Sequence, residues 1–415
     1  MRAAIGSRTV APMSLFERFR RWLSGPDEEP EESEDPPDAP SLFLSHVPPP
    51  VPRHRYDSEW VAADHEGCRR SVDEQLDKVL ARQELNVSLI VLAGNAHPLA
   101  GYATLSGERD EVRRALRILV DATRVELALS RGPRGPIDLP LGERMQRFDP
   151  CAEVSCPAEA WLRGFWAAVI LRDPVARIEL SLIRPSGATL AGHDALASVA
   201  EALQRATLGD SPRALAALDR AAAAARARLD EPVPDEVDHR NIGAVTTLHR
   251  DRAEAHNIWL PTIELIGAWL RDDRAGFATR LHQTQLGHRE QHRWDFHRNM
   301  GQGFLSLPAL ALVVLARERG WAIEPASDYV PAFLTAGEPP REPLLCCPYC
   351  VAPLSPGTEL CPICAADTTR DAWLEFADPA AWSAAPRIDC HACEAPRLEL
   401  AVTCPHCLDG SRAEH

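Results

Sequence analysis

The sequence predicts an all-α protein that ends in a small cysteine-rich region. Apolar residues recur at three- and four-residue steps through most of residues 56–335, which is the period of helices that bury one face. Alternating runs of β-branched residues, the usual signal for strands, are nearly absent from this stretch. Eight of the twelve cysteines form Cys-x-x-Cys pairs after residue 345. We therefore expect a multi-helix bundle or irregular α-array over 56–335 and a separate small domain over 336–415.

The N-terminal residues 1–55 are predicted to be a disordered tail. Residues 13–23 place five apolar side chains on one helical face, and an acidic, proline-rich tether that cannot bury a core follows to Pro52. The amphipathic segment has the character of a membrane-surface or partner-groove helix. Packing on the protein's own body, or fraying, is the favoured interpretation, because ten residues are few for stable interfacial binding.

The helical body can be divided by its apolar periodicity and its capping signals. Val112, Leu116, Leu119, Val120 and Leu127 share one face of a helix over 109–129. Ser211 and Pro212 resemble an N-cap followed by proline at the first helical position. Further helices are predicted over 58–83, 158–171, 193–206, 211–229, 251–271, 273–291 and 303–319. The apolar run from Phe304 to Ala316 is too short to cross a bilayer, so it predicts a buried core helix.

The cysteine pairs form two equal units, each reading Cys-x2-Cys-x10-Cys-x2-Cys. Two such turns can place four thiolates in a tetrahedron around one metal ion. The candidate ligands are Cys347, Cys350, Cys361 and Cys364 in the unit 345–366, and Cys390, Cys393, Cys404 and Cys407 in the unit 388–409. Alternatives are disulfides, iron in a sulfur-only site, and redox-active pairs. The Arg-rich start has no apolar signal-peptide core, which favours a cytoplasmic address and metal-bound thiolates.

The two units resemble the double zinc ribbon family, in which prolines such as Pro348, Pro362 and Pro405 follow the first cysteine of a knuckle. The resemblance implies short β-hairpin knuckles and two structural Zn²⁺ ions, with no open position for catalysis. The family usually carries glycine directly after a knuckle. Here Val351, Ala365, Glu394 and Leu408 stand at those positions instead.

Charge and composition indicate which class of macromolecule the partner belongs to. The chain carries a formal net charge of −15, and residues 341–415 hold eleven acidic residues against five arginines. Phosphate binding requires cationic side chains, so nucleic acid is not an expected partner and a protein is. The single lysine, Lys78, lies in no phosphate-binding or kinase motif.

Residues 251–334 resemble the bacterial immunity protein 49 family, found beside secreted polymorphic toxins. The segments that carry the resemblance are Ala255-His256-Asn257, 260–269, the helix 277–292, 307–312, 316–321 and 327–331. The resemblance implies a non-enzymatic inhibitor that buries the active site of a cognate toxin. The acidic chain would suit a basic toxin such as a nuclease. An intracellular adaptor, whose ribbons recruit a protein partner, is the alternative.

A histidine-rich segment is the candidate partner surface. His282, His288, His292 and His297 fall within seventeen residues, and His288 and His292 have the i, i+4 spacing of zinc ligands. Arginines nearby oppose a cation, so a solvated polar helix face is the favoured interpretation. The functional alternative is a basic, aromatic patch made of His288, His292, Arg293, Trp294 and Phe296. No combination of nucleophile, base and oxyanion donors predicts catalysis, so no catalytic residue is proposed.

Overall fold

The structure is a computed structural model, and it describes residues 49–133, 135–151, 153–185, 194–232, 242–293, 295–325, 327–337, 343–368, 373–392 and 396–405. All of these residues belong to one unit, Pro48–His415. The amphipathic segment 13–23 and nearly all of the acidic tether lie outside the described residues, as do Trp294, Cys393 and Cys407.

The predicted all-α class is confirmed. The helices are α1 (Ser58–Leu80), α2 (Leu85–Ser106), α3 (Arg109–Ser130), α4 (Ala158–Ile170), α5 (Pro174–Leu182), α6 (Asp194–Thr207), α7 (Ser211–Asp230), α8 (Ile242–Glu254), α9 (Leu260–Leu270), α10 (Arg274–His292), α11 (Leu307–Glu318), α12 (Ala332–Thr335) and α13 (Pro379–Ala384). A π-helical turn, Ala255–Trp259, joins α8 to α9. Two 3₁₀ turns, Asp295–Asn299 and Gly301–Phe304, join α10 to α11.

Aspartates cap several of these helices. Asp57 accepts from the Glu59 and Trp60 amides at the start of α1, and Asp273 accepts from the Gly276 amide at the start of α10. Asp210 caps α7 by accepting from the Arg213 amide. The prediction that Ser211 is the N-cap was therefore wrong by one residue, because a carboxylate is the stronger acceptor for the helix N-terminus.

Helices α2 and α5 are among those that the sequence pattern did not predict. Helix α2 carries apolar residues on its exposed side as well, such as Val87 and Ile90, and it contains Pro98, so the sequence shows no narrow apolar face to detect. Helix α5 has only nine residues. The predicted helix over 251–271 corresponds to the last four residues of α8, the π-helical turn and α9 in succession, and the earlier part of α8 was not predicted.

Helix α3 lies at the centre of the described fold. Its first half is amphipathic as predicted, with Val112 and Leu116 buried while Arg113 is exposed. From Ile118 to Leu129 every residue is buried. Helix α11 is also enclosed: Leu307 and the eight residues from Ala309 to Ala316 are buried, and Pro308 between them is partly buried. The predicted core helix is therefore confirmed.

A β-hairpin follows α3 where no strand was predicted. Strands β1 (Ile137–Leu141) and β2 (Arg144–Phe148) pair antiparallel, with Ile137 opposite Phe148 and Leu141 opposite Arg144. The apolar residues Ile137, Leu139 and Leu141 alternate with Asp138 and Pro140 in the sequence, which is a strand signal of period two. Pro140 lies inside this run, and proline within a short run argues against a strand.

The cysteine-rich region forms short hairpins, as the ribbon resemblance implied. Strand β3 (Leu344–Cys346) pairs with β4 (Leu374–Phe376), and β5 (Arg387–Asp389) pairs with β6 (Pro396–Leu398). Trp382 of α13 is buried, and its indole N–H donates to the Val351 carbonyl at 2.9 Å. In the part of the chain that is described, no helix combines the length and apolarity needed to span a bilayer.

Two glycines bring α2 against the 3₁₀ turn Gly301–Phe304. A Cβ on Gly101 would collide with the Gly301 carbonyl, and a Cβ on Gly301 would collide with the Pro98 carbonyl. The two backbones can therefore approach only because neither residue has a side chain. This contact holds the turn that covers the histidines of α10.

We expect Gly101→Ala to lower the free energy of unfolding by at least 1 kcal/mol, because overpacking a backbone contact outweighs the gain in helix propensity. Gly94 lies in the same helix with nothing within 4 Å of a built Cβ. Gly94→Ala is thus the matched control and should stabilise by about 0.5–1 kcal/mol. Denaturant unfolding measures both, and equal stabilisation by the two changes would contradict the close approach.

Candidate functional site

The first cysteine unit brings four thiols together. The Sγ atoms of Cys347, Cys350, Cys361 and Cys364 all lie within 4.8 Å of one another. The Cys347–Cys364 and Cys350–Cys361 Sγ atoms are 3.7 and 3.6 Å apart. A tetrahedral site with metal–sulfur bonds of about 2.3 Å has sulfur–sulfur edges of about 3.8 Å. The predicted first set therefore has the spacing of a four-cysteine metal centre.

Backbone turns hold both cysteine pairs in this position. The Val351 amide donates to the Cys347 carbonyl at 3.0 Å, and the Ala365 amide donates to the Cys361 carbonyl at 2.9 Å. Val351 and Ala365 have φ of 56° and 57°. The two residues that replace the usual knuckle glycines thus keep the left-handed conformation, which costs a residue with a Cβ about 1–2 kcal/mol. The surrounding contacts must offset this strain.

A partly buried arginine lies close enough to the thiols to interact with them electrostatically. Arg131 ends α3, and neither of its terminal guanidinium nitrogens has a hydrogen-bond partner among the described residues. Burial lowers the pKa of Arg131, whereas attraction to the thiols of Cys350, Cys404 and Cys361 raises it. Four thiolates and one divalent ion carry a net charge of −2, which would offset a buried cation. The residues present therefore fit a metal in the first unit.

The second cysteine unit is only partly described. Cys390 and Cys404 are both buried, while Cys393 and Cys407 lie outside the described residues. The Val402 and Thr403 amides donate to the Tyr349 carbonyl at 2.7 and 3.1 Å. The second unit thus attaches to the first knuckle of the first unit.

The first unit also packs on the helical body, over a surface that we call the docking face. It comprises Arg124, Leu127, Asp138, Leu139 and Arg147. Asp138 Oδ2 accepts from the Glu359 and Leu360 amides at 3.1 and 3.0 Å. Arg147 forms ion pairs with Asp138 at 2.9 Å and with Glu359 at 2.7 Å. Burial opposes ionisation of Asp138, but these hydrogen bonds outweigh it and lower its pKa.

A buried ion pair lies beneath the same surface. Arg124 contacts Glu179 with nitrogen–oxygen distances of 2.5 and 2.7 Å, and both side chains are at most 4% exposed. Burial opposes the charge on Arg124, but the carboxylates of Glu179, Asp173 and Asp121 outweigh it and raise its pKa. Arg124 also donates to the Ser355 hydroxyl of the cysteine unit at 3.2 Å.

A second cluster, which we call the histidine cluster, comprises His54, His97, His288, His292 and His297. His288 Nε2 is 3.1 Å from the Gly303 carbonyl oxygen, and the His288 ring lies 4.6 Å from that of His292 and 4.9 Å from that of Tyr329. His54 bonds the Tyr329 hydroxyl at 2.9 Å and the Arg298 carbonyl at 2.8 Å. Metal-ligand grouping among the described residues occurs only at the four cysteines of the first unit.

The interpretation of His288 and His292 as part of a solvated helix face was wrong. His288 is 6% exposed, because the turn Gly301–Phe304 packs over it. Burial lowers the pKa of His288 to about 3 and that of His97 to about 4. The pKa of His292 is also lowered, first by burial and then by neighbouring histidines. These rings are therefore neutral at physiological pH.

The predicted partner surface is divided by the structure. His288 is enclosed, whereas Arg293 is exposed at the end of α10 and pairs with Glu290 at 2.9 Å. Leu286, two turns before Arg293, is 39% exposed. Trp294 lies outside the described residues, and for Phe296 only the backbone in the turn Asp295–Asn299 is described. A role for these residues in partner binding stays a prediction.

Several residues at both sites had no sequence signal. Asp138, Arg124, Arg131 and Glu179 belong to no motif in the sequence, and only tertiary contacts show that they lie where the body meets the cysteine unit. His54 and His97 are far from α10 in sequence. The alternation of apolar residues in 137–141 was a sequence signal that could have located the hairpin of the docking face.

The histidine cluster should make stability depend on pH. His288 has a folded-state pKa far below its ordinary value of 6.5, so below about pH 6.5 the unfolded chain binds a proton that the folded chain does not. Its contribution is complete above this pH and is lost as the pH falls toward the folded-state pKa. Between pH 6 and 4, the stability advantage of the wild type over His288→Gln should shrink by about 1.4 kcal/mol per pH unit.

The pH dependence of the wild type alone does not isolate His288, because buried carboxyls with raised pKa values make the folded state more stable as the pH falls, opposite to the effect of His288. The comparison is therefore made between the wild type and a variant. Burial raises the pKa of both Asp121 and Glu126 to about 7. His249, which is exposed on α8, supplies the control, and His249→Gln should leave the pH slope nearly unchanged. Urea unfolding at several pH values measures the free energy of unfolding of each protein. If this free energy changed with pH by the same amount in the wild type and in His288→Gln, burial of a neutral ring would be contradicted.

Most of the helical body matches a known protein family. A family model described as immunity protein 49 matches residues 102–334, which is more than half of the chain. The match spans α3, the β1–β2 hairpin and α10, and it ends before both cysteine units. It is longer than the segment 251–334 that carried the resemblance in the sequence. Neither the curated proteins nor the solved structures compared with the chain gave a match. The chain belongs to the immunity protein 49 family.

Proposed function

We propose that this chain is a non-enzymatic immunity protein that binds a cognate polymorphic toxin and neutralises it by covering the toxin's active site. The observation that carries the proposal is the family match over 102–334, which coincides with the enclosed helical body. Inhibition by coverage requires a rigid surface and a substantial interface, and no catalytic group. The body built around α3 and α11 supplies such a scaffold.

The proposed partner is a cytoplasmic toxin with a basic surface, such as a nuclease. Support comes from the net charge of −15, which would speed association with a cationic protein. Thiolate–metal sites persist in reducing compartments, which supports a cytoplasmic location. The end of α10, with Leu286, Arg293, Trp294 and Phe296, is the proposed contact surface. Leu286 is the exposed apolar side chain of that surface among the described residues.

The proposed cofactor is structural zinc, with one ion in each cysteine unit. Closed four-cysteine sets, such as the buried set Cys347, Cys350, Cys361 and Cys364, are typical of structural zinc. The second set, Cys390, Cys393, Cys404 and Cys407, has the same spacing in the sequence. When bound, such an ion would crosslink its two knuckles.

Protein purified without added metal should contain two zinc ions per chain, because each cysteine set is complete and closed. Elemental analysis by mass spectrometry measures this. Cys361→Ser and Cys407→Ser are matched changes in the two units, and each should lower the content by about one ion. A red iron chromophore, or a wild-type content below two zinc ions, would contradict the assignment.

Co-expression with the toxin domain encoded by the adjacent reading frame should restore growth, because the body covers the toxin's active site. Trp294→Ala should weaken binding by about 2 kcal/mol if Trp294 is an interface anchor, and Leu286→Ser should weaken it in the same direction. Calorimetric titration of the full-length chains measures the affinity, and the association rate should fall with added salt.

The control for these changes lies on another helix. Ile90 is 51% exposed on α2, so Ile90→Ser removes a comparable exposed apolar side chain and should leave affinity within about twofold. Failure of a folded, metal-loaded chain to bind or to rescue would defeat the immunity proposal and favour an adaptor role. Equal losses of affinity for Leu286→Ser and Ile90→Ser would contradict the assignment of the end of α10 as the contact surface.

A further inference from the structure

The cysteine units lie outside the family match, yet the first unit forms part of the body's interior. The buried apolar cluster of the body is continuous with Cys347, Cys350, Leu354, Cys361 and Ile363 of the unit. Pro362 and Ile363, in the second knuckle, line a narrow cavity whose opposite wall includes Arg124, Leu127 and Leu139. The unit is therefore one wall of the core.

The docking face is held by hydrogen bonds to the residues that directly precede Cys361 in the second knuckle. The Glu359 and Leu360 amides, directly before Cys361, both donate to Asp138 Oδ2. The Asp138 amide donates in turn to the Leu360 carbonyl at 3.4 Å. The segment that presents Cys361 to the metal is thus the segment that binds the β1–β2 hairpin.

Loss of this wall would remove contacts that the body cannot replace from within. Arg124 would lose the Ser355 hydroxyl, Asp138 would lose the Glu359 and Leu360 amides, and the apolar cluster that continues from the body into the unit would be opened to water. Apolar burial and hydrogen bonds to a charged group both stabilise a fold, so their loss is a cost to the body. A four-cysteine knuckle has little structure without its metal, since metal binding and knuckle folding are coupled. The cost of metal loss should therefore reach the body.

We infer that metal binding at the first cysteine unit stabilises the helical body itself, through the docking face made by Arg124, Leu127, Asp138, Leu139 and Arg147. The inference rests on the metal binding proposed above and goes beyond it: the expected consequence of metal loss is weakening of the toxin-binding body, and not local unfolding of a ribbon. The metal and thiol state of Cys347, Cys350, Cys361 and Cys364 thereby controls how much folded inhibitor is present.

The test follows helix unfolding of the full-length protein in its zinc-loaded and chelated forms. Far-ultraviolet circular dichroism reports the body, because the described helices lie almost entirely there, and elemental analysis confirms loading and removal of zinc. Chelation should lower the thermal midpoint of the helical signal by several degrees, and the midpoint should rise steadily with the logarithm of free Zn²⁺. Zinc removal without a change in the helical midpoint would overturn the inference.

A variant at the docking face separates coupling from metal binding. Asp138→Ala removes the acceptor of two knuckle amides and leaves every cysteine in place, so zinc content should remain at two ions while the midpoint difference between loaded and chelated forms shrinks. Asp110 pairs with Arg113 at 3.6 Å on the exposed start of α3, and Asp110→Ala is the control that should keep the full difference. An undiminished difference in Asp138→Ala would overturn the docking face as the route of coupling.

The possible outcomes also distinguish failure of this inference from failure of the proposed zinc binding and toxin neutralisation. A protein that contains no zinc defeats the metal assignment and this inference together, whatever its behaviour toward a toxin. A protein that contains zinc and shows no coupling defeats this inference alone. Neither measurement uses the toxin, so loss of toxin neutralisation is scored independently.

Discussion

The second half of helix α3 is enclosed on all sides, and this burial restricts which elements can pack around it. From Ile118 to Leu129 the helix has no solvent face, so every side of it needs a packing neighbour. Four of these buried residues are polar or charged: Asp121, Thr123, Arg124 and Glu126. A buried polar group is costly without a partner, so each neighbour is selected by chemistry as well as by shape.

Different elements contact three of these four residues, Asp121, Thr123 and Arg124. Asp121 accepts from the Gly142 amide at the tip of the β1–β2 hairpin, at 3.0 Å. Thr123 donates to the Leu119 carbonyl at 2.8 Å within the helix, and the absence of a side chain at Gly164 lets α4 pack directly on Thr123. Arg124 reaches Glu179 of α5 and Ser355 of the first cysteine unit. Helix α3 thus joins the part of the chain that the family model matches to the cysteine unit that it does not.

The sequence predicted the elements that have strong local signals, and it missed those that depend on tertiary partners. Periodicity located α3 and α11, and cysteine spacing located the four thiols of the first unit. The charges of α3 indicated a solvent face, because only distant residues such as Glu179 and Ser355 show that they are buried. His288 was assigned to the surface for the same reason: the turn that covers it approaches through Gly101 and Gly301. Val351 and Ala365 adopt the left-handed knuckle conformation without glycine, which local propensity would not predict.

We propose that the first cysteine unit and α3 unfold as one cooperative structure. Hydrogen exchange, followed by mass spectrometry on the zinc-loaded and chelated full-length protein, measures this cooperativity region by region. Chelation should increase exchange in peptides covering residues 118–130 and 137–148 together with those covering 344–368, because the wall over α3 is lost. Increased exchange confined to 344–405, with peptides of α3 and the hairpin unchanged, would contradict it.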